Sequence, residues 1–231
     1  MTTPLLKDKH AVIYGGAGRI GRGVARTFAA EGAHVHLAGR TERPLAELAA
    51  EIGADFAVLD AADARAVDEH LDGLERVDVS FNLCSRGDVH GTPLAEMPVD
   101  RLMAPLLGLR STFVTAGAAA RRMIEQRSGV ILWLNSASGP GAGPGMGGTG
   151  PADAAMDNYM KQLARDNGSR GLRVCGIWTA GVDMDNVMAG YSAMGRAPRL
   201  DEVADAAAFL ASEKAGGTSG SVLNVTAGVV F

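Results

Sequence analysis

Cysteine is nearly absent. The two among 231 residues, Cys84 and Cys175, each sit in an apolar, strand-like run. That leaves no disulfide framework and reads as two buried thiols in a reducing, cytoplasmic setting. The five histidines are scattered, none at ligand spacing from a cysteine or from another histidine, so a zinc site is not expected. No run of one charge sign occurs. The 22 basic and 26 acidic residues are interspersed and give a net charge of −4. A nucleic-acid surface and an acidic disordered tail are both disfavoured. No apolar stretch reads as a membrane span, and the N-terminus lacks a signal peptide's apolar region. Repeats, low-complexity tails and an interrupting linker are also missing, so residues 1–231 read as one domain.

What is present is a 47% hydrophobic content and a regular alternation of strand and helix signals. Strands are predicted at 10–14, 33–38, 54–59, 77–84, 129–135, 172–178 and 221–225. Helices are predicted at 18–31, 42–52, 63–75, about 98–127, about 149–168 and 201–212. Such alternation implies an α/β fold: a doubly wound, Rossmann-like parallel sheet of about seven strands, with helices on both faces. Ligands of such folds bind beyond the carboxyl ends of the strands. Segments following residues 14, 38, 60, 84, 135 and 178 should therefore meet at one cleft.

The first unit is the most informative. The apolar run His10-Ala11-Val12-Ile13 enters the turn Tyr14-Gly15-Gly16-Ala17-Gly18-Arg19-Ile20-Gly21. A helical pattern of Ile20, Val24 and Phe28 follows, then a second apolar run, Val35 to Ala38, ends at Gly39-Arg40. A glycine turn between strand and helix points backbone N–H groups at a phosphate. At the end of the second strand an acid would bond a ribose 2′-hydroxyl, whereas an arginine suits a 2′-phosphate. Arg40, supported by Arg19 and Arg43, favours NADP over NAD.

Two stretches are irregular. Residues 139–151 are dominated by glycine and proline, and residues 183–199 are rich in Met, Gly and Ala. Both read as active-site loops, either lids or plain flexible connections. Met184, Met188 and Met194 suggest an apolar pocket for a small, moderately hydrophobic ligand. Trp133 and Trp178 should pack in or beside core strands.

From about residue 7 to 228 the chain resembles the short-chain dehydrogenase/reductase family. Gly15 and Gly21 match the family's Thr-Gly-x-x-x-Gly-x-Gly turn. Arg19 replaces its middle glycine, with Gly18 just before. By that resemblance Gly15, Gly18, Arg19, Ile20 and Gly21 border the pyrophosphate, and Asp60, with Ala61 beside it, contacts adenine. Asn82 stands first in the place of the family's Asn-Asn-Ala-Gly. Gly181 and Val182 stand where the family's backbone meets the nicotinamide carboxamide. Asn135-Ser136-Ala137-Ser138-Gly139 puts Ser136 in the place of the family's carbonyl-polarising serine. Homodimers or homotetramers are implied, paired through helices 98–127 and 149–168. Their alanines (Ala116 to Ala120; Ala152, Ala154, Ala155) permit close approach.

The catalytic half departs from the family. Thr149 stands where its tyrosine belongs, thirteen residues after Ser136, and Asp153 stands where its lysine belongs. The family's asparagine position falls near Leu106 or Gly108. A tyrosine hydroxyl can be tuned toward neutrality by a neighbouring cation, and a threonine hydroxyl cannot. Thr149 and Asp153, four apart, share one helical face and should look into the cleft. Asp153 could accept bonds from ribose hydroxyls or act as a general base. Its charge would favour NADP+ over NADPH. Tyr159 and Lys161 lie on different helical faces and do not restore the pair. Arg86, Asp88, His90 and Tyr191 are further polar groups in reach of the cleft. Three functions stay open: an NADP-dependent oxidoreductase with non-standard proton transfer; a non-redox lyase, isomerase or dehydratase using Asp153 and Ser136; or a catalytically silent nucleotide-binding protein.

Overall fold

In the computed structural model, residues 3–137 and 145–230 are described. Seven parallel strands form one sheet in the order β3-β2-β1-β4-β5-β6-β7. They are β1 (His10–Tyr14), β2 (His34–Gly39), β3 (Asp55–Val58), β4 (Val79–Asn82), β5 (Gly129–Ser136), β6 (Leu172–Thr179) and β7 (Ser221–Val225). The strand order reverses between β1 and β4, which opens a crevice at their carboxyl ends.

The helices are α1 (Arg19–Ala30), α2 (Glu42–Ile52), α3 (Ala64–Asp72), α4 (Val99–Gly108), α5 (Arg110–Gln126), α6 (Thr149–Asn167), α7 (Asp185–Met188) and α8 (Leu200–Ala211). α1, α2 and α8 bury Val24, Phe28, Leu45, Leu48 and Ala204 against one face of the sheet. α3, α5 and α6 bury Val67, Leu71, Ala119, Met123, Met156 and Met160 against the other. In α1 the buried positions Gly21, Val24, Ala25 and Phe28 form a stripe at helical spacing. α3 begins where the Asp63 carboxylate accepts from the N–H groups of Arg65 and Ala66.

Four expectations are corrected. The helix predicted over 98–127 is two helices meeting at Leu109, with Pro105 inside the first. A proline removes one helical hydrogen bond and crowds the preceding turn. Taken together, Val99–Gln126 is long and apolar enough to pass as a membrane span, contrary to the sequence reading. Its second half nonetheless packs as a core helix, with Thr112, Thr115, Ala119 and Met123 buried. Ala116, Ala118, Ala119, Ala120 and Ala152 are buried within the chain itself, so of the alanines expected to pair two copies only Ala154 is exposed and Ala155 half-buried. The segment 183–199 is a folded excursion. It contains α7, and Asp185 accepts from the Ala197 N–H and from Arg199, both at 2.8 Å. Of the glycine-rich stretch, residues 138–144 lie outside the described residues. Gly145 is docked, its carbonyl accepting from the Gly91 N–H at 2.7 Å.

Candidate active site

A cavity of about 710 Å3 lies over the carboxyl ends of β1, β2 and β3, a size suited to a nucleotide. Gly15, Gly18, Arg19, Ile20, Gly21, Arg40, Asp60 and Ala61 all line it. The glycine turn is as tight as a phosphate cradle requires. Gly15 has φ +72°, and a Cβ there would stand 2.7 Å from the Leu83 carbonyl oxygen. Gly18 caps α1 without a side-chain bond, so the first N–H groups of that helix face the cavity with nothing from the cap in front of them.

Arg19 reaches across the mouth. Its guanidinium donates to the Val182 carbonyl at 2.6 Å and pairs with Asp183 at 3.1 Å, tying the glycine turn to the segment after β6. Val182 is buried, and neither it nor Gly181 borders the cavity. Asn82 is also absent from the lining. Its amide donates to Thr115 Oγ1, and its Oδ1 accepts from the Cys84 N–H, each at 2.9 Å. It braces the chain beneath the site.

Sequence reasoning missed the far wall, which Leu107, Gly108, Arg110 and Ser111 supply. The break between α4 and α5 sets Arg110 at a helix start, where its Nε donates to the Ala62 carbonyl at 2.9 Å. With Arg19 and Arg40, Arg110 is therefore the third guanidinium group on one cavity. Cys84 also lines it, its thiol pushed up to about 11 mainly by burial, with Arg40 opposing and Asp60 reinforcing.

At the β5 end the arrangement differs from expectation. Thr149 and Asp153 do share a face of α6, but both are wholly buried rather than open to the cleft. Thr149 Oγ1 accepts from the Val89 N–H at 3.2 Å. Asp153 faces Arg86, whose Nη1 lies 2.6 Å from Oδ1, and the Ser136 hydroxyl donates to Oδ2. Arg86 also donates to Asn135 Oδ1 at 2.9 Å and stands 3.2 Å from Asp88. The Asn135 amide in turn donates to the Asp153 carbonyl and to Asp157 Oδ1, both at 2.8 Å.

Asp157 completes this network as a buried carboxylate held by neutral donors. Trp133 Nε1 donates to it at 2.8 Å and Trp178 Nε1 at 2.9 Å. Arg86, only one of several loop residues in the sequence reading, is the centre of this network, though it does not line the cavity. A signal existed: Asp153 and Asp157 stand among Ala152, Met156 and Met160, and acids on an apolar helix face demand partners. His90 and Tyr191 are exposed and take no part in these bonds. Tyr159 packs against Phe113, ring centroids 4.5 Å apart.

A family model described as enoyl-(acyl carrier protein) reductase matches residues 15–230. The 3-oxoacyl-[acyl-carrier-protein] reductase of Chlamydia muridarum is 29% identical, covering 97% of this chain and 98% of the relative. An uncharacterized oxidoreductase of Mycobacterium tuberculosis is 33% identical over 73% of this chain and 66% of its own length. A solved short chain dehydrogenase/reductase family protein is 27% identical with a TM-score of 0.87, covering 97% of this chain and 98% of that one.

Proposed function

Since the chain belongs to the short-chain dehydrogenase/reductase family of oxidoreductases, we propose that it binds NADP(H) and acts on a small, moderately hydrophobic carbonyl or alcohol compound. One observation carries this reading: glycine turn, Arg40 and Asp60 border a single cavity. Bound NADPH would supply the hydride to a carbonyl, or NADP+ would accept it from an alcohol. The N–H groups at the start of α1 would receive the pyrophosphate, and Arg40, with Arg110 nearby, would hold the 2′-phosphate. The relative's name, a 3-oxoacyl reductase, supports a carbonyl substrate. Val99, Met103 and Phe113 are exposed on α4 and α5 and would serve a homodimer or homotetramer.

Ser136 would position the substrate oxygen at the end of β5 by turning its hydroxyl from Asp153 Oδ2 to the substrate. Proton transfer would fall to water, because the Thr149 hydroxyl cannot be tuned toward neutrality as a tyrosine's can, and Asp153 is held by Arg86. That occupation speaks against Asp153 as the base of a lyase or isomerase. The buried Arg86–Asp153 pair favours one second reading, a chain that binds the nucleotide without turnover. Oxidation of NADPH against a panel of hydrophobic ketones and aldehydes separates the two. Slow turnover that disappears in Ser136→Ala supports the oxidoreductase. Tight NADPH binding with no turnover on any carbonyl supports the silent binder.

A further inference from the structure

Arg86 enters the site from the loop after β4, opposite α6. Its side chain is 9% exposed and Asp153's is fully buried, so the charges meet away from bulk water. Position 108 makes the approach possible. A Cβ there would stand 2.1 Å from the Arg86 carbonyl oxygen, so only glycine lets the loop lie this close to α4. The guanidinium is shared: Nη1 serves Asp153 and Asn135, and Nη2 faces the half-exposed Asp88. Asp157, four residues beyond Asp153, is the next acid, held by indole and amide donors.

We propose that Arg86 and Asp153 act as opposed determinants of which redox form of the cofactor the site prefers. The inference rests on the NADP(H) reading above. In a doubly wound sheet a dinucleotide lies across the strand reversal, here between β1 and β4. Arg40 and Asp60 mark the adenosine end beyond β2 and β3. The second nucleoside therefore lies on the β4–β5–β6 side, where Arg86 follows β4 and Ser136 ends β5. The oxidised nicotinamide ring carries a positive charge that the reduced ring lacks, so a fixed charge beside it acts on one form only. Asp153 favours NADP+, Arg86 opposes it, and their balance sets the ratio of affinities. This adds Arg86 to the sequence reading, in which Asp153 alone tilted the site toward NADP+. Arg86 is thus a specificity-determining residue that the family resemblance does not supply.

The test is the ratio of dissociation constants for NADP+ and NADPH, measured separately by calorimetry on the full chain. Arg86→Gln is expected to move the ratio toward NADP+ on the order of tenfold, and Asp153→Asn to move it toward NADPH by a similar factor. The double variant, which strands no charge, is expected near the wild-type ratio. Asp88→Asn, at a half-exposed position that spares the fold, is expected to give a smaller shift toward NADPH, because it frees Arg86 from a competing acid. If both redox forms bind and the ratio stays fixed, or both single variants move it the same way, the proposal is overturned. Failure of wild type to bind either form would instead overturn the NADP(H) reading itself.

Discussion

The backbone N–H of Val89 donates to Thr149 Oγ1 at 3.2 Å. This bond ties the loop after β4 to the first turn of α6, at the position where the family resemblance implies a catalytic tyrosine. The hydroxyl is wholly buried and serves as an acceptor. Thr149→Val keeps the shape and strands the Val89 N–H. A loss of about 1–3 kcal/mol is expected, read as a lower urea midpoint at unchanged slope. Activity lost at full stability would show instead that the hydroxyl takes part in the chemistry.

Asp157 accepts from both tryptophans of the chain and from Asn135. Asp157→Ala leaves these buried donors without their acceptor, so a loss of about 3 kcal/mol or more is expected. Intrinsic fluorescence should change in the same variant, because every indole loses its partner. An unchanged emission spectrum together with an unchanged urea midpoint would contradict this role.

His36 gives the fold a pH dependence of definite sign. It lies on β2 beside His10, His34 and Asp55, with His10 Nδ1 3.2 Å from its Nε2 and Asp55 3.6 Å from its Nδ1. Burial lowers its pKa below the ordinary value of 6.5, Asp55 opposes, and His10 and His34 add to the lowering. His70 on α3 is lowered too, by burial and then by His36. The unfolded chain binds these protons more readily than the folded one. Stability is therefore expected to fall as pH drops through the unfolded value and onward to the lower folded one. Melting temperatures between about pH 8 and about pH 5 check this. His36→Gln should flatten the profile, and a slope unchanged in that variant would assign it to other groups.

Much of the fold was legible because parallel, doubly buried strands read as apolar runs, such as Val12-Ile13 and Val130-Ile131-Leu132. The break at Leu109 was not, because the apolar pattern runs through it without interruption and Pro105 sits one turn too early to mark it. β4 ends at Asn82 rather than 84, where the chain turns aside and Cys84 and Ser85 enter the cavity wall. Around the cavity, the places of Gly15, Arg40 and Asp60 were readable because strand ends fix where they stand. Arg86 was not, since the direction of a loop side chain is set by what packs beneath it, here the bare backbone of Gly108. The buried alanines of α5 misled for a related reason. Small residues permit close packing without saying whether the partner is the chain's own sheet or another copy.

Arg40 carries the central claim that the cavity takes a 2′-phosphorylated dinucleotide. The most direct measurement is titration of the full chain with NADPH and with NADH, repeated on Arg40→Ala. NADPH is expected to bind at least about tenfold tighter than NADH, as a charge-assisted contact of about 1.5–3 kcal/mol implies, and the variant should lose most of that preference. Equal affinity for the two nucleotides in wild type, or uptake of neither, would contradict the account.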